Sequence, residues 1–280
     1  MKMRNDVAVF ILTHGRVNEQ ISLETLKSLG YTGNTYLIVD DMDEQMAEYQ
    51  RKYGDKVKVF SKQETPFDTF TNKTEWRSVT YARNAAYKIA RELGLKYIFV
   101  MDDDISGLTI RVVRNGSLKG FNIGNINQLL NEIADYMEKA NITVFGFSQS
   151  GAFIGGKDGP KYKAGCQRTV SQAMMVSVDD QIEWRCLFGQ DLHGSLDGAE
   201  KGKVFLSTML VAIQSPQRST NSGGLYDVYK ETQMYTTLFY SVIGWPSVVS
   251  LTNKDGEWKH RINRGRIAPM IVSDKYRKVG

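Results

Sequence analysis

The sequence predicts an α/β fold: a mostly parallel sheet with helices on both faces, in a single domain. Three observations predict it. Short apolar runs alternate with amphipathic helical patterns through the first half. The runs are apolar almost without a break, as strands buried on both faces require. Polar residues of chemical interest follow those runs directly, where ligands bind in such sheets, beyond the carboxyl ends of the strands.

The elements follow in order. Val7 to Leu12 is the first strand, and Thr13-His14-Gly15-Arg16 closes it. A helix is expected from Asn18 as its cap to Leu29, stopped by Gly30. Tyr36 to Val39 is a second strand ending at Asp40-Asp41, Glu44 to Tyr53 a polar helix, and Val57 to Phe60 a third strand. Ser61 to Trp76 reads as a loop. After Ser78 as cap, Val79, Ala82, Ala86, Ile89, Ala90 and Leu93 share one helical face. Tyr97 to Met101 is the next strand, ending in Asp102-Asp103-Asp104. Ile126 to Met137 carries another amphipathic helix. In the second half Thr143–Phe147, Ala173–Val178 and Val204–Ile213 are strand-like, with glycine-rich loops between them, among them the turn cluster Gly151–Pro160.

The 280 residues suffice for one large domain, and 41% hydrophobic with 24% charged residues is ordinary for a globular chain. No apolar run is long enough to cross a membrane. Val7 is reached without a signal-peptide pattern, and two cysteines twenty apart make neither a zinc spacing nor a disulfide framework, so a cytoplasmic setting is expected. The net charge is +5. From Lys254 to Gly280 there are eight Lys/Arg against three Asp/Glu, a surplus of five, while the preceding residues carry 28 of each sign. Such a basic segment attracts phosphates or simply solubilises the chain.

Asp102 and Asp104 past a buried strand suit a divalent cation bridged to a diphosphate, Mg²⁺ or Mn²⁺; a solvated turn is the alternative. Asp40 and Asp41 face a ribose or base, or form an ordinary strand-to-helix turn. Thr13, His14 and Arg16 line the same crevice. Neither GxGxxG nor a phosphate loop is present. Arg77, Arg83 and Asn84 open the periodic helix, and an arginine there holds phosphate or the carboxylates unless it is a surface residue. Asp191, in GQDLHGSLDGAEKGKVFLS, is a general-base candidate, with Asp197 the runner-up. His260 stands in the basic segment as a metal ligand or an exposed histidine.

Taken together, these residues resemble a GT-A fold inverting nucleotide-sugar glycosyltransferase. VAVFILTHGR is similar to that group's first strand and nucleotide loop, YLIVDD to its second strand with the uridine-facing acid, and SVTYARNAA to the helix with its Arg-Asn pair. VMDDD resembles its metal-binding DxD, and the segment around Asp191 resembles its base motif, with Gln190 where glutamate is usual. The resemblance covers roughly residues 7 to 265. It implies a Rossmann-like nucleotide-binding sheet over about residues 1–105, an acceptor and catalytic half to about 253, and a basic segment at 254–280. It implies a divalent metal on Asp102, Asp104 and His260, a UDP-linked donor contacted by Thr13, His14, Arg16, Asp40, Asp41, Arg77, Arg83 and Asp103, and Asp191 as the base.

Within that fold the chain is similar to the TET-associated glycosyltransferases, the group that includes base J glucosyltransferase. That similarity implies sugar transfer onto a hydroxymethylated pyrimidine in DNA, often for a phage. Trp184, Phe188, Tyr226 and Trp245 then stack on the base or, as most aromatics do, pack in the core. Two other classes remain open: a glycosyltransferase with a cell-envelope or other carbohydrate acceptor, and a metal-dependent nuclease or nucleotidyltransferase.

Overall fold

The computed structural model describes residues 2–64, 76–167, 169–170, 172–186, 189–215, 235–254, 256–267 and 274. The strands are β1 Val7–Leu12, β2 Asn34–Asp40, β3 Val57–Phe60, β4 Tyr97–Asp102, β5 Gly107–Arg114, β6 Ser117–Asn122, β7 Val144–Gln149, β8 Cys166–Gln167, β9 Ala173–Ser177, β10 Phe205–Gln214, β11 Val249–Lys254 and β12 Glu257–Ile262. The helices are α1 Ile21–Ser28, α2 Met46–Tyr53, α3 Thr80–Glu92, α4 Ile126–Ala140, α5 Pro160–Lys163, α6 Gln190–Glu200 and α7 Tyr235–Gly244.

The main sheet runs β3-β2-β1-β4-β9-β7-β10-β5-β6, with β8 also paired to β10. β3, β2, β1 and β4 are parallel, and β9 joins β4 antiparallel. The chain leaves β1 to build β2 and β3 on one side and returns to place β4 on the other. A crevice therefore opens at the carboxyl ends of β1 and β4, where Leu12 pairs with Asp102.

The period of two along each strand sorts the core. Val7, Val9 and Ile11 of β1, with Phe99 and Met101 of β4, pack among Leu26, Tyr49 and Leu130 from α1, α2 and α4. Ala8, Phe10, Ile98 and Val100 point the other way, against Ala86, Ile89 and Ala90 of α3. α4 has an Asn125 cap that accepts from the Gln128 amide at 3.0 Å, and it ends at Asn141 in the left-handed region, φ 52.

Three expectations need correction. The first helix starts at Ile21 and not at Asn18, because the Asn18 side chain accepts from Lys52 Nζ at 2.8 Å instead of capping. The DLHGSLDGAE stretch is helical, so Asp191 stands in the first turn of α6 and not in a loop. The basic segment from Lys254 is no simple tail. Lys254 ends β11 of a β11–β12 hairpin, and Val249 and Ile262 of that hairpin pack with Leu192, Leu196 and Trp245. One further hairpin, β5–β6, turns at Asn115-Gly116, with φ values of 51 and 72. Asn-Gly between extended segments is a strong hairpin signal.

Candidate active site

Residues past β1 and β4 divide into two groups. Thr13 and Asp103 turn toward α2. The Thr13 hydroxyl donates to Asp103 Oδ2 at 2.7 Å, and Arg16 Nη1 donates to Asp103 Oδ1 at 2.6 Å. Tyr49 OH stands 2.9 Å from Thr13 Oγ1, and Gln20 donates to the same oxygen. Asp103 is 5% exposed. Its two oxygens are thus engaged in tying the β1 loop to β4. Thr13 and Arg16 serve the same latch.

His14, Asp40 and Lys62 form the second group. His14 Nδ1 lies 2.7 Å from Asp40 Oδ2, and Lys62 Nζ lies 2.9 Å from Asp40 Oδ1. Asp40 is buried, and this hydrogen bond holds the His14 imidazole above its ordinary pKa. His14 is half-exposed, at the open side of this trio. Asp41 is exposed, and its carboxylate accepts the Lys62 amide at 3.1 Å. Asp40 therefore supports His14 from beneath.

Asp102 lies within electrostatic reach of Arg83 and Asp104. Burial is the main cause that pushes the Asp102 carboxyl up to about 7. Asp104, Asp103 and Asp191 add repulsion, and Arg83 opposes it. Arg83 is 4% exposed, and its Nε and Nη1 have no hydrogen-bond partner among the described residues. Its guanidinium lies over the Trp184 ring, 4.9 Å from the centroid. Asn84 fixes that ring's backbone in both directions, accepting from Trp184 N at 2.9 Å and donating to Trp184 O at 2.8 Å. Trp184 and Trp245 are buried, so both belong to the core and neither is placed to stack on a base. Phe188 and Tyr226 lie outside the described residues. Arg77 is exposed in the turn before α3.

Asp191 approaches from α6. It lies within electrostatic reach of Asp102 and of His260. Its Oδ1 accepts the Leu192 amide at 2.9 Å. Asp197, two turns on, pairs with Lys201 at 2.6 Å and lines a separate cavity between α3 and α6. His260 donates from Nε2 to the Leu238 carbonyl at 3.1 Å, leaving Nδ1 with its lone pair, and burial lowers its pKa. α6 is held by His193, whose ring reaches Cys186 Sγ and Ser241 Oγ and meets Trp245 edge-on. Burial lowers the His193 pKa to about 4, so the ring is neutral. Nothing in the sequence singled His193 out, since its signal is a tertiary contact.

Asp102 and Asp104 fit a hard divalent cation by donor chemistry, and the charge crowding that raises Asp102 is what such a cation relieves. Among the described residues, no three His, Cys, Asp or Glu side chains are already gathered to hold a metal. His260 is therefore not assembled with the two carboxylates into a ready ligand set.

A mixed α/β domain with this strand order and crevice has the GT-A fold. It is similar to a mannosyltransferase from Pyrobaculum calidifontis in complex with GDP-Man and Mn²⁺, at TM-score 0.50 and 10% identity, over 86% of this chain and 65% of that one. The chain belongs to the TET-associated glycosyltransferase family, which matches residues 7–224. Also similar are glucosyl-3-phosphoglycerate synthase from Mycobacterium tuberculosis (TM-score 0.46, 10% identity, 92% of this chain and 87% of that one) and S. aureus TarS 1–349 in complex with UDP (TM-score 0.41, 13% identity, 74% and 60%). The chain thus spans 65% and 60% of the length of the mannosyltransferase and TarS chains. No curated protein matches this chain. Among the described residues no helix is long and apolar enough to cross a membrane.

Proposed function

We propose that this protein transfers a sugar from a nucleoside diphosphate sugar, UDP-linked, to the hydroxymethyl group of a pyrimidine in DNA, with inversion at the sugar. The observation that carries this reading is that Arg83, Asp104 and Asp191 all lie within electrostatic reach of Asp102, which ends β4 beside Leu12 of β1. Family membership supports the transfer, and the mannosyltransferase of the same fold binds GDP-Man and Mn²⁺.

Asp102 and Asp104 would hold a divalent cation, and His260, whose Nδ1 keeps a lone pair, is the candidate further ligand. When bound, the cation supplies positive charge to the diphosphate as it leaves. Arg83, held on Trp184 with two unpaired nitrogens, stabilises the same developing charge. His14, whose pKa the Asp40 hydrogen bond raises, adds an imidazole at the mouth. Arg77 and Asp41 border the crevice from exposed positions, while Thr13, Arg16 and Asp103 hold its wall in place. Asp191 takes the proton of the acceptor hydroxyl. The acceptor oxygen bonds to the anomeric carbon from the face opposite the diphosphate. The bond from that carbon to the phosphate oxygen breaks, and the nucleoside diphosphate departs with the electron pair.

The test is incubation of the protein with hydroxymethylated and plain DNA, Mn²⁺ and a panel of nucleotide sugars, read by nucleoside mass spectrometry. A mass gain of one sugar confined to hydroxymethylated pyrimidines is the expected outcome. Transfer only to carbohydrate acceptors, or cleavage of the DNA, refutes the reading.

A further inference from the structure

Beside Asp191 lies a cavity of about 270 Å³, lined by Gln149, Lys161, Gln167, Thr169, Asp191 and Ile262 among others. Its walls come from distant parts of the chain. Gln149 ends β7, Gln167 lies in β8 held against β10, Lys161 belongs to α5, and Ile262 ends β12. The side chains of Gln149, Gln167, Thr169 and Lys161 form no hydrogen bond or ion pair with the described residues, so their polar atoms are available to a ligand.

Three features define the occupant. The volume is below the roughly 300–1,000 Å³ of sites for drug-sized ligands, so it suits a single ring better than a carbohydrate chain. Two amides each offer a donor pair and an acceptor, the chemistry that matches the mixed edge of a nucleobase. The cavity is also bordered by positive charge. The hairpin segment 107–122 carries Arg111, Arg114 and Lys119 with no acid, and segment 149–167 carries Lys157, Lys161 and Lys163 against Asp158 alone. Arg111 joins the two segments, its guanidinium 5.3 Å from the Phe153 ring centroid. Six cations against one acid suit a phosphate backbone.

We propose that this cavity is the acceptor pocket for one pyrimidine turned out of a DNA strand. Gln149 and Gln167 read the base edge, Lys161 holds a flanking phosphate, and the hydroxymethyl group faces Asp191. The proposal rests on the reading of the chain as a DNA glycosyltransferase and adds the residues that choose the base. A base must leave its stack to enter such a pocket, and the positively charged segments beside it hold the strand while it does.

The test uses the full chain with oligonucleotides containing 5-hydroxymethylcytosine or 5-hydroxymethyluracil and the donor found above. Gln149→Ala and Gln167→Ala should raise the acceptor KM about tenfold or more and change the preference between the two bases, with nucleotide-sugar affinity kept within twofold by calorimetry. A change of base preference would not follow from a merely structural role. Lys161→Ala should flatten the salt dependence of DNA affinity by about 0.9 in log–log slope on duplex. If an alanine variant melts early, Gln149→Asn or Gln167→Asn retracts the amide with less disturbance and should show the same change. If wild type modifies DNA while all these variants keep acceptor KM, base preference and salt slope, the pocket assignment is overturned and the function stands. If wild type modifies neither oligonucleotide, the functional reading and the pocket fall together.

Discussion

Asp102→Asn should stabilise the metal-free protein while abolishing transfer. In the fold the Asp102 carboxyl is pushed up to about 7, first by burial and then by Asp104, Asp103 and Asp191, with Arg83 offsetting part. An ordinary aspartate titrates near 3.9, so the difference is about three pH units at roughly 1.4 kcal/mol each, about 4 kcal/mol. The side chain keeps some contact with water, and screening brings the expected effect to roughly 2 kcal/mol. The sign follows from proton linkage. Between about pH 4 and 7 the folded state holds a proton that the unfolded chain has released, so stability falls as pH rises through this window. Asparagine carries no charge and escapes that loss. Urea unfolding in a chelator from pH 4 to pH 8 measures it. The variant should exceed wild type by roughly 2 kcal/mol at pH 8 and match it near pH 4. Mn²⁺ should then raise the stability of wild type more than that of the variant. A variant no more stable than wild type at pH 8, or an equal gain at both ends of the range, refutes the picture of a strained carboxylate.

The other predictions probe the supports of the site. His193 has the opposite linkage: its pKa is lowered to about 4, so its contribution is complete above about pH 6.5 and lost as pH falls toward 4. His193→Gln should erase about 3 kcal/mol of pH dependence in that window, seen as the wild-type-minus-variant difference in unfolding free energy. Gly194→Ala places a methyl group into the Trp184 ring and should cost roughly 1–3 kcal/mol in urea unfolding, as overpacking does. Arg83→Met removes the cation facing Asp102, so the carboxyl should ionise only at higher pH, while Mn²⁺ binding above that pH, followed by calorimetry, should tighten. Asp197→Asn removes a surface ion pair with Lys201 and should change stability by no more than about 0.5 kcal/mol, with transfer kept near wild type.

Much of the first half of the chain was legible because burial on both faces leaves a continuous apolar run. The placing of Asp102 at the end of a buried strand follows from the apolar run Tyr97 to Met101 that precedes it. What the sequence did not disclose depends on long-range pairing. Asp40 has the look of a nucleotide contact until Lys62 and His14 are seen to surround it. Trp184 resembles a stacking platform until its partner proves to be Arg83. The α6 pattern was obscured by Gly194 and Gly198, which read as loop residues; their missing side chains admit Trp184 and Phe205 instead. The pocket residues Gln149, Lys161 and Gln167 fall in three separate elements, and no spacing along the chain connects them.

The central claim is that Asp191 accepts the proton of a DNA hydroxymethyl group while a sugar moves from a nucleoside diphosphate. It is tested most directly by single-turnover transfer of labelled sugar to a hydroxymethylated oligonucleotide, comparing wild type with Asp191→Asn. The account predicts transfer with inverted anomeric configuration by wild type, and a loss of roughly 10² to 10⁴-fold in the variant with donor and metal binding retained. Transfer at an unchanged rate by Asp191→Asn, or a product that keeps the donor's configuration, contradicts it.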